Sequence, residues 1–179
     1  MDLFEAIEGR RSIRSFLDKP VPKEFVMRIL EAGQLAPSAG NCQARQFILV
    51  EDQEVKRKLY EAAWNQEFIL QAPISIVVCA DELRSSSRYG ERGRRLYCIL
   101  DASASVENML LAAHGLGLGA CWIGAYQDEK VKEALGLPDH LKPIAIIPIG
   151  YPARQPPARP RLPVEALLHY NRYGGKGYL

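Results

Sequence analysis

The spacing of apolar positions divides the chain into short elements that alternate between helical and extended periods. Leu3, Phe4 and Ile7 recur at helical spacing and Gly9 follows, which predicts a short helix over residues 2–9. Pro22 suits the first turn of a second helix, ending near Ala36, with Val26, Ile29, Leu30 and Gly33 on one face. A buried strand is predicted at 47–50, then a helix capped by Asp52 and running to Ala63, with Val55, Leu59 and Ala62 inward. Residues 64–67 close it and a shorter helix reaches Gln71. Residues 74–79 are continuous, β-branched and bounded by Pro73 and Asp81, which gives the clearest strand.

Beyond it, residues 81–92 carry no apolar period and are expected to form a mobile excursion. One long helix is predicted over 94–114, apolar on most sides through Ile99, Leu100, Val106, Met109, Leu110 and Leu111. Such a helix must be buried, either at the centre of a monomer or partly by a second subunit. A strand at 120–123, a helix at 128–135 and a strand at 143–151 follow. The five prolines and three arginines of 152–163 favour an extended arm, or else a disordered tail, and Val164, Leu167, Leu168, Tyr170 and Tyr173 give it an apolar end.

Composition narrows the class. A chain of 179 residues with 47% hydrophobic and 25% charged positions fits one soluble domain. No apolar run approaches the roughly 20 residues that span a bilayer, and the acidic N-terminus does not resemble a signal peptide, so a cytoplasmic protein is expected. The net charge of +2 is too balanced for binding along a nucleic-acid backbone. The arginines of 84–95 read as a solvated loop. Cys42, Cys79, Cys98 and Cys121 form no C-x-x-C pair and have no histidine at metal-ligand spacing, so buried thiols and no metal are expected.

Candidate chemistry gathers at Arg10-Arg11-Ser12-Ile13-Arg14. Three guanidiniums and a hydroxyl within five residues suit a phosphate, although a solvated basic turn has the same composition. The loop Pro37-Ser38-Ala39-Gly40-Asn41-Cys42-Gln43 is small and polar enough to approach a flat ligand, or to be a plain turn. Residues 115–119 are glycine-rich, but they follow a helix and precede a strand, the reverse of a dinucleotide fingerprint.

Taken in order with Gly119-Ala120-Cys121-Trp122-Ile123-Gly124 and the basic tail Arg159-Pro160-Arg161, these motifs resemble the nitroreductase family of FMN-dependent NAD(P)H oxidoreductases, over about residues 2–173. The resemblance implies an α+β sandwich, a central, mainly antiparallel sheet flanked by helices, assembled as an intertwined homodimer. It makes 1–179 a single domain, with 152–179 an arm on the partner subunit. It implies FMN as cofactor and NADH or NADPH as co-substrate, with hydride passing through the flavin to a nitroaromatic, quinone or similar flat small-molecule acceptor by a ping-pong mechanism. Nucleic acid and membrane are not among the implied partners.

By the same resemblance Arg10, Arg11 and Ser12 would take the FMN phosphate and ribityl chain, completed by Arg159 and Arg161, with Arg14 nearer the ring. Pro37, Ser38, Ala39 and Asn41 would line the ring from the other subunit, Asn65 would hydrogen-bond it, and Ile123 and Gly124 would offer it backbone N–H groups. Phe68 stands where some relatives carry a lysine, and Ile123 where some carry an acidic residue. No catalytic side chain is implied, since flavin carries the redox chemistry. The alternatives are a non-catalytic flavin- or nucleotide-binding module, and a specialised flavin-cleaving or dehalogenating relative.

Overall fold

The computed structural model describes residues 2–177, so the last two residues of the predicted 152–179 arm lie outside it. At its centre β2 (Ile74–Asp81) is buried at every position. It pairs antiparallel with β1 (Arg45–Val50) on one side and β4 (Leu141–Gly150) on the other, and β4 carries the two-residue β3 (Gly119–Ala120) at the far edge. Alternation along β2 sends Ile74, Ile76, Val78 and Ala80 into one core and Val77 and Cys79 into another. Helices cover both faces, which is why β2 shows no polar alternation.

One core is closed by α2 (Lys23–Gln34) and α6 (Cys98–Gly115), whose Val26, Ile29, Ala102, Val106 and Met109 meet the sheet. The other is closed by α3 (Gln53–Ala62), α4 (Phe68–Gln71) and α7 (Asp128–Leu135) through Leu59, Ile69 and Val131. Asp52 caps α3 by accepting from Val55 N–H at 2.9 Å. Buried Lys56 donates to the Ala72 carbonyl at 2.5 Å, tying α3 to the segment after α4, and burial lowers its pKa. The helix α1 (Leu3–Gly9) forms as predicted with a reciprocal Asp2/Glu5 capping box, but only Ala6 is buried, and Leu3, Phe4 and Ile7 face outward.

Two expectations are corrected. Residues 81–92 are not an excursion: Asp81 accepts from Arg84 N–H at 2.9 Å and starts α5 (Glu82–Arg92). Its polar surface hid it from periodicity, because only Ser85 is buried. At Gly90 the backbone (φ 55°, ψ −140°) breaks the helix, in a region that essentially only glycine tolerates. The chain turns there into the π-helical turn Gly93–Tyr97, with Gly93 set against the Ser85 backbone so closely that a Cβ would lie 2.5 Å from Ser85 O.

The long helix therefore begins as a hairpin limb rather than at Arg94. By length and composition the helical run Glu82–Gly115 (34 residues) contains an 18-residue window, of mean hydropathy 1.2, that could cross a bilayer, as can the core helix of many water-soluble folds. It is interrupted at Gly90, and Cys98, Ala102, Val106, Met109 and Ala113 are at 0% exposure inside the first core. The second correction concerns 120–123. Only Ala120 continues a strand, and Ile123 makes one isolated bridge to Ile146.

Candidate functional site

The arginine cluster follows α1 because Gly9 permits contact with the end of α6. A Cβ on Gly9 would sit 2.7 Å from His114 Nε2. The chain then runs alongside the start of β3, with Ser12 bridging Ala120 and Ile13 N–H donating to Ala120 O at 2.9 Å. That pairing buries Ile13 and leaves the flanking Arg10, Arg11, Ser12 and Arg14 around a cleft of about 590 Å³. Pro156, Pro157 and Ala158 form the opposite wall and bring Arg159 and Arg161 to the same space. Six predicted residues thus meet at one cleft from two distant parts of the sequence.

The charge there is largely unspent. Among the described residues the ion pair of this group is Arg10 Nε with Glu107 Oε1 at 3.6 Å, and Arg11 donates to the carbonyls of Glu8 (2.5 Å) and Arg10 (2.9 Å). Five guanidiniums against one neighbouring acid on the cleft wall, Glu8, make a site for a dianion such as phosphate monoester. No group of His, Cys, Asp and Glu fit for a metal occurs among the described residues. The donor set therefore fits the phosphate of FMN.

His114 lines a smaller neighbouring pocket that shares Arg10 and Arg11 with the cleft. Its Nε2 is buried without a partner among the described residues, and burial first, then Arg10 and Arg11, hold its pKa below the ordinary 6.5. Cys121 lies under Ser12 and Arg14. Burial raises its thiol pKa, against the pull of Arg14, Ser12 and Arg10.

The segment after β3 leads to a further predicted group, Asn65, Ile123 and Gly124. Gln66 Nε2 donates to Ala125 O at 3.3 Å and Gln127 N–H to Ala62 O at 3.0 Å, so the turn holding Asn65 adjoins the segment after Gly124. Trp64 and Asn65 both adopt left-handed φ (56° and 58°), turning the chain back after α3. The expectation for Ile123 is corrected: its N–H donates to Ile146 O at 2.9 Å and its side chain is 2% exposed in the core. It has no donor to offer a ligand, whereas Gly124 N–H has no partner among the described residues.

Pro37, Ser38, Ala39 and Asn41 stand elsewhere. Their loop precedes β1, and Arg45 pairs with Ala80 at one end of β2, whereas β3 joins β4 at Gly150 and Ile149, opposite Ile74 at the other end. Three strand spacings and about six residues of strand separate these corners, on the order of 25 Å. The long helix gives the same picture. Asp101 near its start accepts from Ala39 N–H at 2.9 Å, whereas His114 near its end packs on Gly9, about 20 Å further along.

Two polar residues that the sequence reading passed over hold this second loop. Arg45, 4% exposed, donates to the carbonyls of Gln34 (2.7 Å), Ala36 (2.8 Å) and Pro37 (3.3 Å). Asp101, also 4% exposed, spends Oδ1 on Ala39. Burial lowers the Arg45 pKa and the Asp101 charge offsets part of it. A lone charge in an apolar and small-residue stretch was the available signal for Asp101, whereas Arg45, set between Ala44 and Gln46, gave none. On the outer side Arg88 donates to Gly40 O at 2.7 Å, and Tyr89 Oη would lie 2.3 Å from a Gly40 Cβ.

Known proteins share both sequence and fold. The model of the nitroreductase family matches residues 7–67 and 62–151. The chain is 39% identical over 163 residues to a protein of Methanothermobacter thermautotrophicus named as an NADH dehydrogenase/NAD(P)H nitroreductase, covering 89% of this chain and 82% of that one. It is 35% identical over 182 residues to an FMN reductase (NADPH) of Bacillus subtilis, covering 94% and 73%. The structure of the NADPH:FMN oxidoreductase of Vibrio harveyi, complexed with NAD+, superposes with a TM-score of 0.88 at 31% identity, covering 95% of this chain and 77% of that one.

Proposed function

Because the chain belongs to the nitroreductase family, we propose that it is an FMN-dependent oxidoreductase that draws hydride from NADH or NADPH and delivers it to a flat acceptor such as a nitroaromatic or a quinone. The observation that carries this reading is the cleft in which Arg10, Arg11, Arg14, Arg159 and Arg161 meet with little opposing charge. When bound, the flavin accepts and passes on the hydride. The chain's own work is to hold and orient. The arginines and Ser12 would take the phosphate, with Arg14 toward the ring. The Asn65 side chain and the free Gly124 N–H would be the donors offered to the ring, where a preorganised donor stabilises negative charge as it develops.

We further propose a homodimer in which residues 37–41 of one subunit complete the site begun by the arginines of the other. The separation of the two groups at opposite corners of the sheet and opposite ends of α6 supports this. So do the outward Leu3, Phe4 (71% exposed) and Ile7, and a tail whose Leu162, Val164, Leu167 and Tyr173 (92% exposed) stay exposed among the described residues. Donor and acceptor then use one pocket in turn, which gives ping-pong kinetics.

The test is anaerobic rapid mixing of FMN-loaded protein with NADH or NADPH, then with an acceptor, following the visible flavin band. Bleaching by a nicotinamide, recovery by the acceptor and parallel initial-rate lines are expected. A flavin that neither nucleotide bleaches would refute the oxidoreductase reading, and intersecting lines would refute the shared pocket.

A further inference from the structure

The arginines between Arg84 and Arg95 remain outside the phosphate cleft, and the fold does not leave them as a solvated run. The break at Gly90 turns the chain from α5 into Gly93–Tyr97 and packs Gly93 against the Ser85 backbone, which sets Arg88 and Arg92 beside a pair of tyrosines. Tyr89 and Tyr97 pack edge to face with centroids 5.1 Å apart. The Arg88 guanidinium lies 5.5 Å from the Tyr89 ring and that of Arg92 lies 5.3 Å from the Tyr97 ring. Arg92 Nε also donates to Tyr97 Oη at 2.9 Å. These contacts fix the planes of two exposed guanidiniums and leave free N–H groups on both, a preorganisation that a solvated charge run lacks.

Beside them Arg92, Arg95, Glu91 and Leu96 line a shallow, open depression of the surface. Glu91 is its one acid and pairs with Arg95 at 2.9 Å, while Arg84 and Arg94 make no ion pair among the described residues. The location matters as much as the charge. Arg88 is bonded to Gly40 O, and Gly40 belongs to the loop proposed above to face the flavin ring. An anionic ligand whose other end reaches that ring would lay its phosphates here, with Leu96 as an apolar shelf for a base.

We propose that Arg92 and Arg95, with Arg88 beside them, form the subsite for the 2′-phosphate of the reduced dinucleotide that carries one; this rests on the reading of the chain as a nicotinamide-dependent flavin enzyme. Arg92 and Arg95 supply the two-pronged contact to that phosphate, and Arg88 ties the subsite to the ring-facing loop.

The experiment has two arms. In the first, calorimetry on the FMN-loaded protein compares adenosine 2′,5′-bisphosphate with adenosine 5′-monophosphate, with no redox chemistry involved. The bisphosphate is expected to bind more tightly, by about tenfold, from one added charge-assisted contact, and Arg92→Ala/Arg95→Ala is expected to erase that difference. The second arm measures flavin reduction by each dinucleotide. The double variant should raise the half-saturating NADPH concentration about tenfold or more, leave its limiting rate intact, and leave NADH unchanged. Salt should weaken NADPH more than NADH, because exposed charges are screened.

Equal binding of the two adenosine nucleotides, or equal loss of NADPH and NADH in the variant, overturns the subsite. If the bisphosphate discriminates as expected but neither dinucleotide bleaches the flavin, the subsite stands and the oxidoreductase reading is what fails.

Discussion

Individual side chains carry two of the sharpest expectations. Each arginine of the cleft, if it holds the phosphate as proposed, would contribute a charge-assisted hydrogen bond worth roughly 1.5–3 kcal/mol, so Arg10→Ala or Arg161→Ala should weaken FMN by about tenfold to a hundredfold. Riboflavin, which lacks the phosphate, should bind poorly to the parent chain and should not distinguish it from either variant. Equal affinity for FMN and riboflavin in the parent would mean that these arginines hold no phosphate. His114 gives a pH dependence. Burial with Arg10 and Arg11 nearby keeps its folded pKa under the ordinary 6.5, so below that pH the unfolded chain binds more protons. Stability is full above about 6.5 and falls as pH drops from there through the folded value. His114→Gln should flatten that part of the melting-temperature profile between pH 5 and 7, and a profile parallel to the parent's would exclude His114 as the cause.

At the scale of elements, one buried acceptor helps to hold a loop and one isolated bridge fixes the segment after β3. Asp101→Ala removes the acceptor for Ala39 N–H in a buried setting, at a cost of roughly 1–3 kcal/mol, and Asp101→Asn, which keeps an acceptor oxygen, should cost less. Denaturant melts separate the two. Indistinguishable losses would show that charge, and not the hydrogen bond, matters there. Ile123 and Gly124 divide in the same way. Ile123→Ala empties core volume and should cost about 2–5 kcal/mol of stability with little change in FMN affinity, whereas Gly124→Pro removes the free N–H and should lower the reduction rate. A Gly124→Pro variant that folds and reduces normally would show that this donor is idle.

For the whole molecule, the expectation is assembly. The two groups of proposed ring and phosphate residues lie on the order of 25 Å apart across one sheet, too far for one flavin ring to meet both in the same chain. Light scattering should return twice the chain mass of 20.0 kDa. Removing residues 152–179 should weaken both the dimer and FMN retention, since Arg159 and Arg161 go with the arm. A truncated chain that stays dimeric and keeps its flavin would show that the arm contributes to neither.

Much of this architecture was legible in the order of residues because local rules sufficed. The continuous β-branched run of β2, the Asp52 cap of α3, the period of α2 and the proline-rich arm each declare themselves within a few neighbours. The charge cluster at Arg10 to Arg14 stands out for the same reason, and the fold brings it to one cleft with Arg159 and Arg161. What the sequence left open depends on contacts between distant positions. The helix α5 has no apolar period because its inward side meets its own hairpin limb, so its arginines read as a loop until Gly90 and the Tyr89–Tyr97 contact folded them into a patch. Whether Ile123 N–H was free depended on Ile146, and whether Pro37 and Arg10 could share a ligand within one chain depended on strand order. Local periodicity reports which face of an element is apolar; only the packed sheet decides what that face, and each backbone donor, meets.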